Sequence, residues 1–389
     1  YFKFDTMKYS TRFVSNQKKL KIAAFGFRSI PFREGCAGAD KFAIELLPRL
    51  VKLGYQVTGY NRLYQGQQPL QREYEGVRLV HFSTFNTKGF DTLFHSLKCT
   101  LHIIFTNSGK IVHIQNGGNS IWAILLRLAG KKVFISQDGI DWARDKWPWY
   151  GKLYLRLSAF LTAYLPNQVI FDNVFARELF EKKFNRKFLF IPFGSDVVNF
   201  ENDQAILDKY GLKPNEYFLF IGRFIPDKGL HYLIPAFESV KTPKKLVLVG
   251  GSPNPSDYEK KLIATTDQRI VFAGYVYGDD SLRLMKNAYC YIQPSDVEGL
   301  SPVLLNVMGL GTPVLCSDIK ENLYAVADHA VLFRQGNIES LTQALTQSLS
   351  SPELLQLNAA RAKARTLLLF SWDQVTRDHE TIFLKELKK

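Results

Sequence analysis

The sequence predicts an α/β fold made of two Rossmann-like, doubly wound domains facing each other across a cleft. Three observations carry that expectation. The chain has 389 residues, too many for one ordinary domain and suited to two of roughly 150–200 each. From Lys21 onward, short β-branched or aromatic runs alternate with longer helical patterns, as in a parallel sheet covered by helices. The alternation pauses in a polar segment that runs to about Asn215, and then it restarts.

Residues 1–18, with Tyr-Phe-Lys-Phe-Asp-Thr ahead of Met7, read as a tail or expression remnant and receive no structural role. In a first domain over 19–200, strands are expected at 21–25, 56–60, 77–82, 110–114, 132–136, 168–171 and 188–191. A helix over 39–53 carries Phe42, Leu46, Leu50 and Leu53 on one face and stops at Gly54, and Pro48 should kink or break it. The interdomain linker falls after Ile191-Pro-Phe-Gly-Ser-Asp196. In a second domain over 201–369, strands are expected at 217–221, 245–249, 270–272, 290–293, 313–316 and 330–333. Ligands of such sheets gather at the carboxyl ends of the strands, in the cleft.

The charge is lopsided. Residues 1–200 hold 29 Lys and Arg against 14 Asp and Glu, whereas 201–389 hold 21 against 22. The first half therefore faces the more anionic partner, an anionic lipid surface or a phosphorylated acceptor, unless the excess serves only solubility. No zinc-finger, RRM or helix-turn-helix pattern is present, which disfavours nucleic acid. Cys36, Cys99, Cys290 and Cys316 are scattered, which suits a reducing, cytoplasmic setting and argues against a disulfide scaffold or zinc site. No apolar run reaches the roughly 18–20 residues of a membrane span, and no signal peptide is visible. The run from Trp142 through Trp147, Trp149, Tyr150, Lys152, Tyr154 and Arg156 mixes aromatics and cations as interfacial segments do; a core-packing helix would account equally for Leu153, Leu157 and Phe160.

Four constellations carry chemistry. Glu298-Gly299-Leu300-Ser301-Pro302 sets a carboxylate before a helix with Ser301 as N-cap and Pro302 at its first position. Free N–H groups at that helix start suit a phosphate, and Glu298 suits hydroxyls. Gly222-Arg223, with Lys228-Gly229 five residues on, follows a strand; Arg supplies a planar fork for phosphate oxygens and Lys a point charge. Either cation alone would read as an ordinary surface charge, but the pairing with Glu298 about seventy residues downstream favours phosphate binding. Gly35 and Gly38 lie in a strand-to-helix loop where small residues let backbone approach a phosphate, or simply make a tight turn. Asp138, Asp141 and Trp142 follow a strand and suit sugar hydroxyls, or else cap and pack. Asp279 and Asp280 read as solvated, and the histidines as structural.

Together these residues resemble family 4 of the retaining, nucleotide-sugar-dependent glycosyltransferases, built on the GT-B fold. The resemblance rests on Glu298-Gly-Leu-Ser with Gly311-Thr-Pro313-Val downstream, and on Gly222-Arg223-Phe-Ile-Pro-Asp-Lys228-Gly229. The run from Asp138 to Trp147 is similar to a branch that builds bacterial surface polysaccharides, including rhamnosyltransferases. The resemblance implies transfer of a sugar from a nucleotide-diphosphate donor to a glycan or lipid-linked acceptor with retention, without metal or cofactor. The basic first half and the aromatic run suit a cytoplasmic protein that is either free or peripheral on the cytoplasmic face of the membrane. The resemblance implies diphosphate binding by Arg223 and Lys228, and donor contacts from Gly35, Gly38, Gly222, Gly299, Leu300 and Ser301. Glu298 would hold donor sugar hydroxyls, and the segment of Tyr275 would meet the nucleobase. Asp138 would lie near the reacting centre, with Asp141 and Trp142 on the acceptor. It also implies that 370–389 form a helix crossing back to the first domain. One position departs from the pattern. Asn306 stands where the family carries a second Glu that holds the ribose, which points to altered nucleotide preference, a compensating contact, or a silent sugar-nucleotide-binding subunit. A GT-B relative with epimerase-type chemistry is the remaining alternative.

Overall fold

A computed structural model describes residues 20–389, apart from 34–37, 65–67, 69–70, 86–89, 138, 140–148, 196–203 and 252–256. Two sheets organise it. The first contains β1 (Lys21–Phe25), β2 (Gln56–Leu63), β3 (Glu73–Tyr74), β4 (Val77–Ser83), β5 (Ile111–Gln115), β6 (Lys132–Gln137), β7 (Gln168–Phe171) and β8 (Leu189–Phe190). Its order is β3-β4-β2-β1-β5-β6-β7-β8, parallel except for β3. The second contains β9 (Tyr217–Arg223), β10 (Lys245–Gly251), β11 (Ile270–Gly274), β12 (Cys290–Gln293), β13 (Val314–Ser317) and β14 (Val331–Phe333). Its order, β11-β10-β9-β12-β13-β14, is parallel throughout.

Each sheet reverses its winding once, between β1 and β5 in the first and between β9 and β12 in the second. A crevice opens outside the strand carboxyl ends at such a reversal. Burial on both faces explains why the strands read as continuous apolar runs. Ile22 and Ala24 of β1 join one core, while Ala23 and Phe25 join the other.

Three local expectations need correction. The Gly38–Lys52 helix runs through Pro48 without a break, and Pro48 is buried. Leu53 lies beyond that helix and is exposed, so it does not extend the core face. The segment expected as a polar linker contains a short helix, Ala205–Lys209, that buries Ile206 and Leu207. The short strand β3 was not expected. It pairs antiparallel with β4 through Glu75 and Gly76, both at positive φ (44° and 80°), as a two-residue hairpin turn requires.

The last helix, Trp372–Leu387, packs against the Gly38–Lys52 helix and the first sheet. Tyr55 donates to Glu380 Oε1 at 2.8 Å, Gln168 Nε2 donates to Glu386 at 2.7 Å, and Phe383 meets Phe134 at 4.6 Å between ring centroids. Gly194 allows the approach of Trp372, since a Cβ there would sit 2.4 Å from the indole. The end of the first domain is thereby fixed next to the chain's last helix.

Candidate active site

The loops that follow β9 and β12 meet at the winding reversal of the second sheet. Pro226–Lys228 form a single 3-10 turn that ends at Gly229, whose φ is +69°. A Cβ at Gly229 would lie 2.0 Å from the carbonyl oxygen of Pro294, so only glycine permits this close approach. Asp296 N donates to Asp227 O at 2.9 Å and locks the two loops together. As a result Lys228 forms an ion pair with Glu298, with the side chains 18% and 10% exposed.

Glu298 is held by more than the lysine. Its Oε1 also accepts from Gln293 Nε2 at 2.8 Å and from Ser295 Oγ at 2.7 Å. Gln293 is oriented in turn by the buried Tyr291, whose hydroxyl donates to Gln293 Oε1 at 2.6 Å. Burial, with the Glu298 charge adding to it, pushes the Tyr291 phenol well up, so it stays a donor. All three bonds to Glu298 end on Oε1, and among the described residues no donor meets Oε2. A carboxylate fixed on one side with its other oxygen available is a preorganised acceptor for hydroxyls.

The helix that follows begins as expected. Ser301 caps it by accepting from Leu304 N at 3.3 Å, Pro302 occupies the first position, and Gly311 closes the far end at φ +75°. The start of this helix faces a cavity of about 170 Å³ between the domains, lined by Glu298, Gly299, Leu300 and Ser301 on one side. Gly38, Gln115, Asn116 and Ser136 line the opposite side. Gly38 opens the Gly38–Lys52 helix, so two helix N-termini point at one space, an arrangement that favours an anion there.

Arg223 ends β9 beside Gly251 of β10, and its side chain is exposed. Gly222 pairs with Gly250, where a Cβ would strike Gly222 O at 1.8 Å. Tyr275, just past the end of β11, stacks on Tyr277 at 5.9 Å and 9°. Tyr277 in turn meets Phe32 of the first domain at 6.1 Å. Asn306 turns toward the first domain, where its Oδ1 accepts from Ser195 Oγ at 2.9 Å. Gly35, Asp138, Asp141 and Trp142 lie outside the described residues. Asp280 pairs with Arg283 at 2.8 Å. His95, His113 and His379 are buried among aromatic and backbone partners, with His379 Nδ1 donating to Val375 O.

Sequence reasoning missed Tyr291, Gln293, Ser295 and Ser195. Their spacing gave one usable signal: Gln293 ends β12 and Ser295 lies in the loop after it, five and three residues before Glu298. Nothing in the sequence pairs Ser195 with Asn306, which lie 111 residues apart.

Residues 202–365 match the family described as glycosyl transferases group 1. The chain is 27% identical to O-antigen chain mannosyltransferase B of Escherichia coli over 177 residues, which are 44% of this chain and 46% of that protein. It spans about half the length of such relatives. Its fold is similar to that of a sucrose-phosphate synthase from Thermosynechococcus elongatus, with a TM-score of 0.80 and 18% identity over 95% of this chain and 99% of that one. It is also similar to Anabaena HepE in complex with UDP and glucose, with a TM-score of 0.74 and 16% identity over 94% and 100%. The second half of the chain is thus similar to group 1 glycosyltransferases, and the whole chain shares the GT-B fold.

Proposed function

We propose that this chain, with a group 1 glycosyltransferase domain as its second half, transfers a sugar from a nucleoside-diphosphate donor to a glycan or lipid-linked acceptor with retention of configuration. The observation that carries the reading is the Lys228–Glu298 pair at the capped start of the Pro302–Leu310 helix, facing a second helix start across the cleft. A diphosphate needs cations and N–H donors, a sugar needs an oriented hydroxyl acceptor, and a nucleotide sugar presents both groups together. UDP with glucose, named for HepE, and the mannosyl transfer named for the Escherichia coli relative fall in the same chemical class.

In this reading the bond between the anomeric carbon and the β-phosphate oxygen breaks while the acceptor oxygen bonds that carbon on the same face. The acceptor proton passes to the departing diphosphate. Lys228, Arg223 and the two helix starts stabilise the charge that builds on the leaving group. Glu298 Oε2 orients the sugar. This assigns the electrostatic work to the protein, so chelation with EDTA should leave turnover unchanged.

Asn306 supports a second reading. With its oxygen engaged by Ser195, it offers a neutral amide where a carboxylate would grip two ribose hydroxyls. We therefore propose an altered nucleotide preference, with a silent sugar-nucleotide-binding subunit as the rival. A thermal-shift screen across UDP, GDP, ADP, dTDP and their sugars, followed by donor hydrolysis, tests both. Nucleotide binding without sugar release would favour the silent subunit, and no binding at all would end the proposal.

A further inference from the structure

We infer that the outer side of three neighbouring helices in the first domain docks on an anionic lipid bilayer. The central helix, Trp149–Tyr164, is packed the opposite way from an ordinary core helix. Apart from Leu155, the residues it buries are small: Ser158, Ala159, Thr162 and Ala163. Its large apolar side chains point outward, with Trp149 77%, Leu153 61%, Leu157 51% and Phe160 53% exposed. A helix on a water-facing protein surface turns its apolar stripe inward. The alternative of a core-packing role for Leu153, Leu157 and Phe160 is therefore incorrect.

The neighbours continue the face. Ser120 Oγ donates to Ser158 O at 2.9 Å and Arg127 donates to Leu165 O at 2.8 Å, which holds the Ala123–Leu128 helix alongside. Ser96 Oγ donates to Asn119 Oδ1 at 2.7 Å and brings in the Phe90–Thr106 helix. These two helices add Leu128 and Phe105, both 82% exposed. An exposed apolar surface spread over three elements marks an interaction site.

Charge selects the partner. The three helices carry Lys98, Arg127, Lys152 and Arg156 against one acid, Asp91, which is mostly buried and pairs with Arg62 at 3.3 Å. A second copy of this chain, docked through the same face, would set cations against cations, since Asp91 is already engaged by Arg62. An anionic bilayer supplies the missing charge, and it accepts aromatic side chains at its headgroup level. No helix among the described residues is long and apolar enough to cross a membrane, so the contact lies along the surface. Ser136, near the end of β6, lines the interdomain cavity. In the proposed function, docking through the helix that comes next among the described elements would hold the cleft close to a lipid-linked acceptor.

The inference rests on exposure and charge, not on the donor site, and the test keeps the two apart. The purified chain is sedimented with vesicles of phosphatidylcholine alone or mixed with phosphatidylglycerol, at low and high salt. Binding to the anionic vesicles should be at least about tenfold stronger and should fall with salt. Leu157→Glu with Phe160→Glu should abolish it, and Arg156→Glu should weaken it; nucleotide-induced thermal shifts should remain, which shows the fold is retained. No anionic binding at low salt, or equal binding by the variants, would overturn the inference. So would a dimer that dissociates on substitution without any vesicle binding. A chain that binds vesicles but no nucleotide would keep this inference and remove the proposed activity.

Discussion

Replacing Lys228 with methionine removes the ammonium and keeps most of the side-chain volume. Glu298 then retains Gln293 and Ser295 at 2.8 and 2.7 Å, so its Oε1 is still bonded. Breaking a fully buried ion pair costs about 3–5 kcal/mol, but this pair is 18% and 10% exposed and two donors remain. A loss of about 1–2 kcal/mol is expected, or about 3–6 °C in melting temperature for a domain of this size. The effect on turnover should be far larger. A preorganised charge aimed at a developing anion contributes about 3–4 kcal/mol, so kcat/KM should fall about 10²–10³-fold, with Lys228→Arg retaining more than Lys228→Met. The assay is release of nucleoside diphosphate from the best donor found by thermal shift. A folded Lys228→Met protein within about threefold of the parent kcat/KM would refute the role of this pair.

Gln293→Leu should leave the nucleoside diphosphate bound as before and lower kcat, because it releases Glu298 from the Tyr291 relay; unchanged kcat would remove Gln293 from the positioning set. Asn306→Glu should shift binding toward ribonucleotides over 2′-deoxyribonucleotides in calorimetry, and an identical ratio would contradict the reading of that position. Stability should fall on mild acidification. Burial holds His95 and His113 down at about 3 and His379 at about 4. Their folded pKa values lie below the unfolded value, so their contribution is complete above about pH 6.5 and is lost as pH drops toward 4. Each should lose roughly 1 kcal/mol between pH 7 and 5.5. Denaturant midpoints at the two pH values check this, and a midpoint that rises at pH 5.5 would contradict it.

The strands were legible because parallel sheets buried on both faces demand uninterrupted apolar runs, as at β7 and β12. Short elements were not. β3 has two residues, and its turn uses Glu75 at positive φ, a residue type that carries little turn signal. Within the candidate site, Glu298, Lys228, Ser301 and Gly38 stand out because phosphate and hydroxyl chemistry limits the residue types. The support behind them does not stand out. Tyr291 and Gln293 look like an ordinary strand until their alternation sets both on one face. Ser195 reaches Asn306 only once the domains are assembled. The Trp149–Tyr164 helix shows the limit of pattern reading most clearly. Its periodicity fits a core or an interface equally, and only the burial of its small residues decides which face turns outward.

The central claim is that Glu298, Lys228 and Arg223 hold a nucleoside-diphosphate sugar. It is tested most directly by incubating the purified chain with UDP-, GDP-, ADP- and dTDP-sugars and following nucleoside diphosphate and free sugar. At least one donor should raise the melting temperature and be consumed, and Arg223→Ala with Lys228→Ala should abolish both effects in a folded protein. No stabilisation and no turnover with any donor, or full turnover by the double variant, would contradict it.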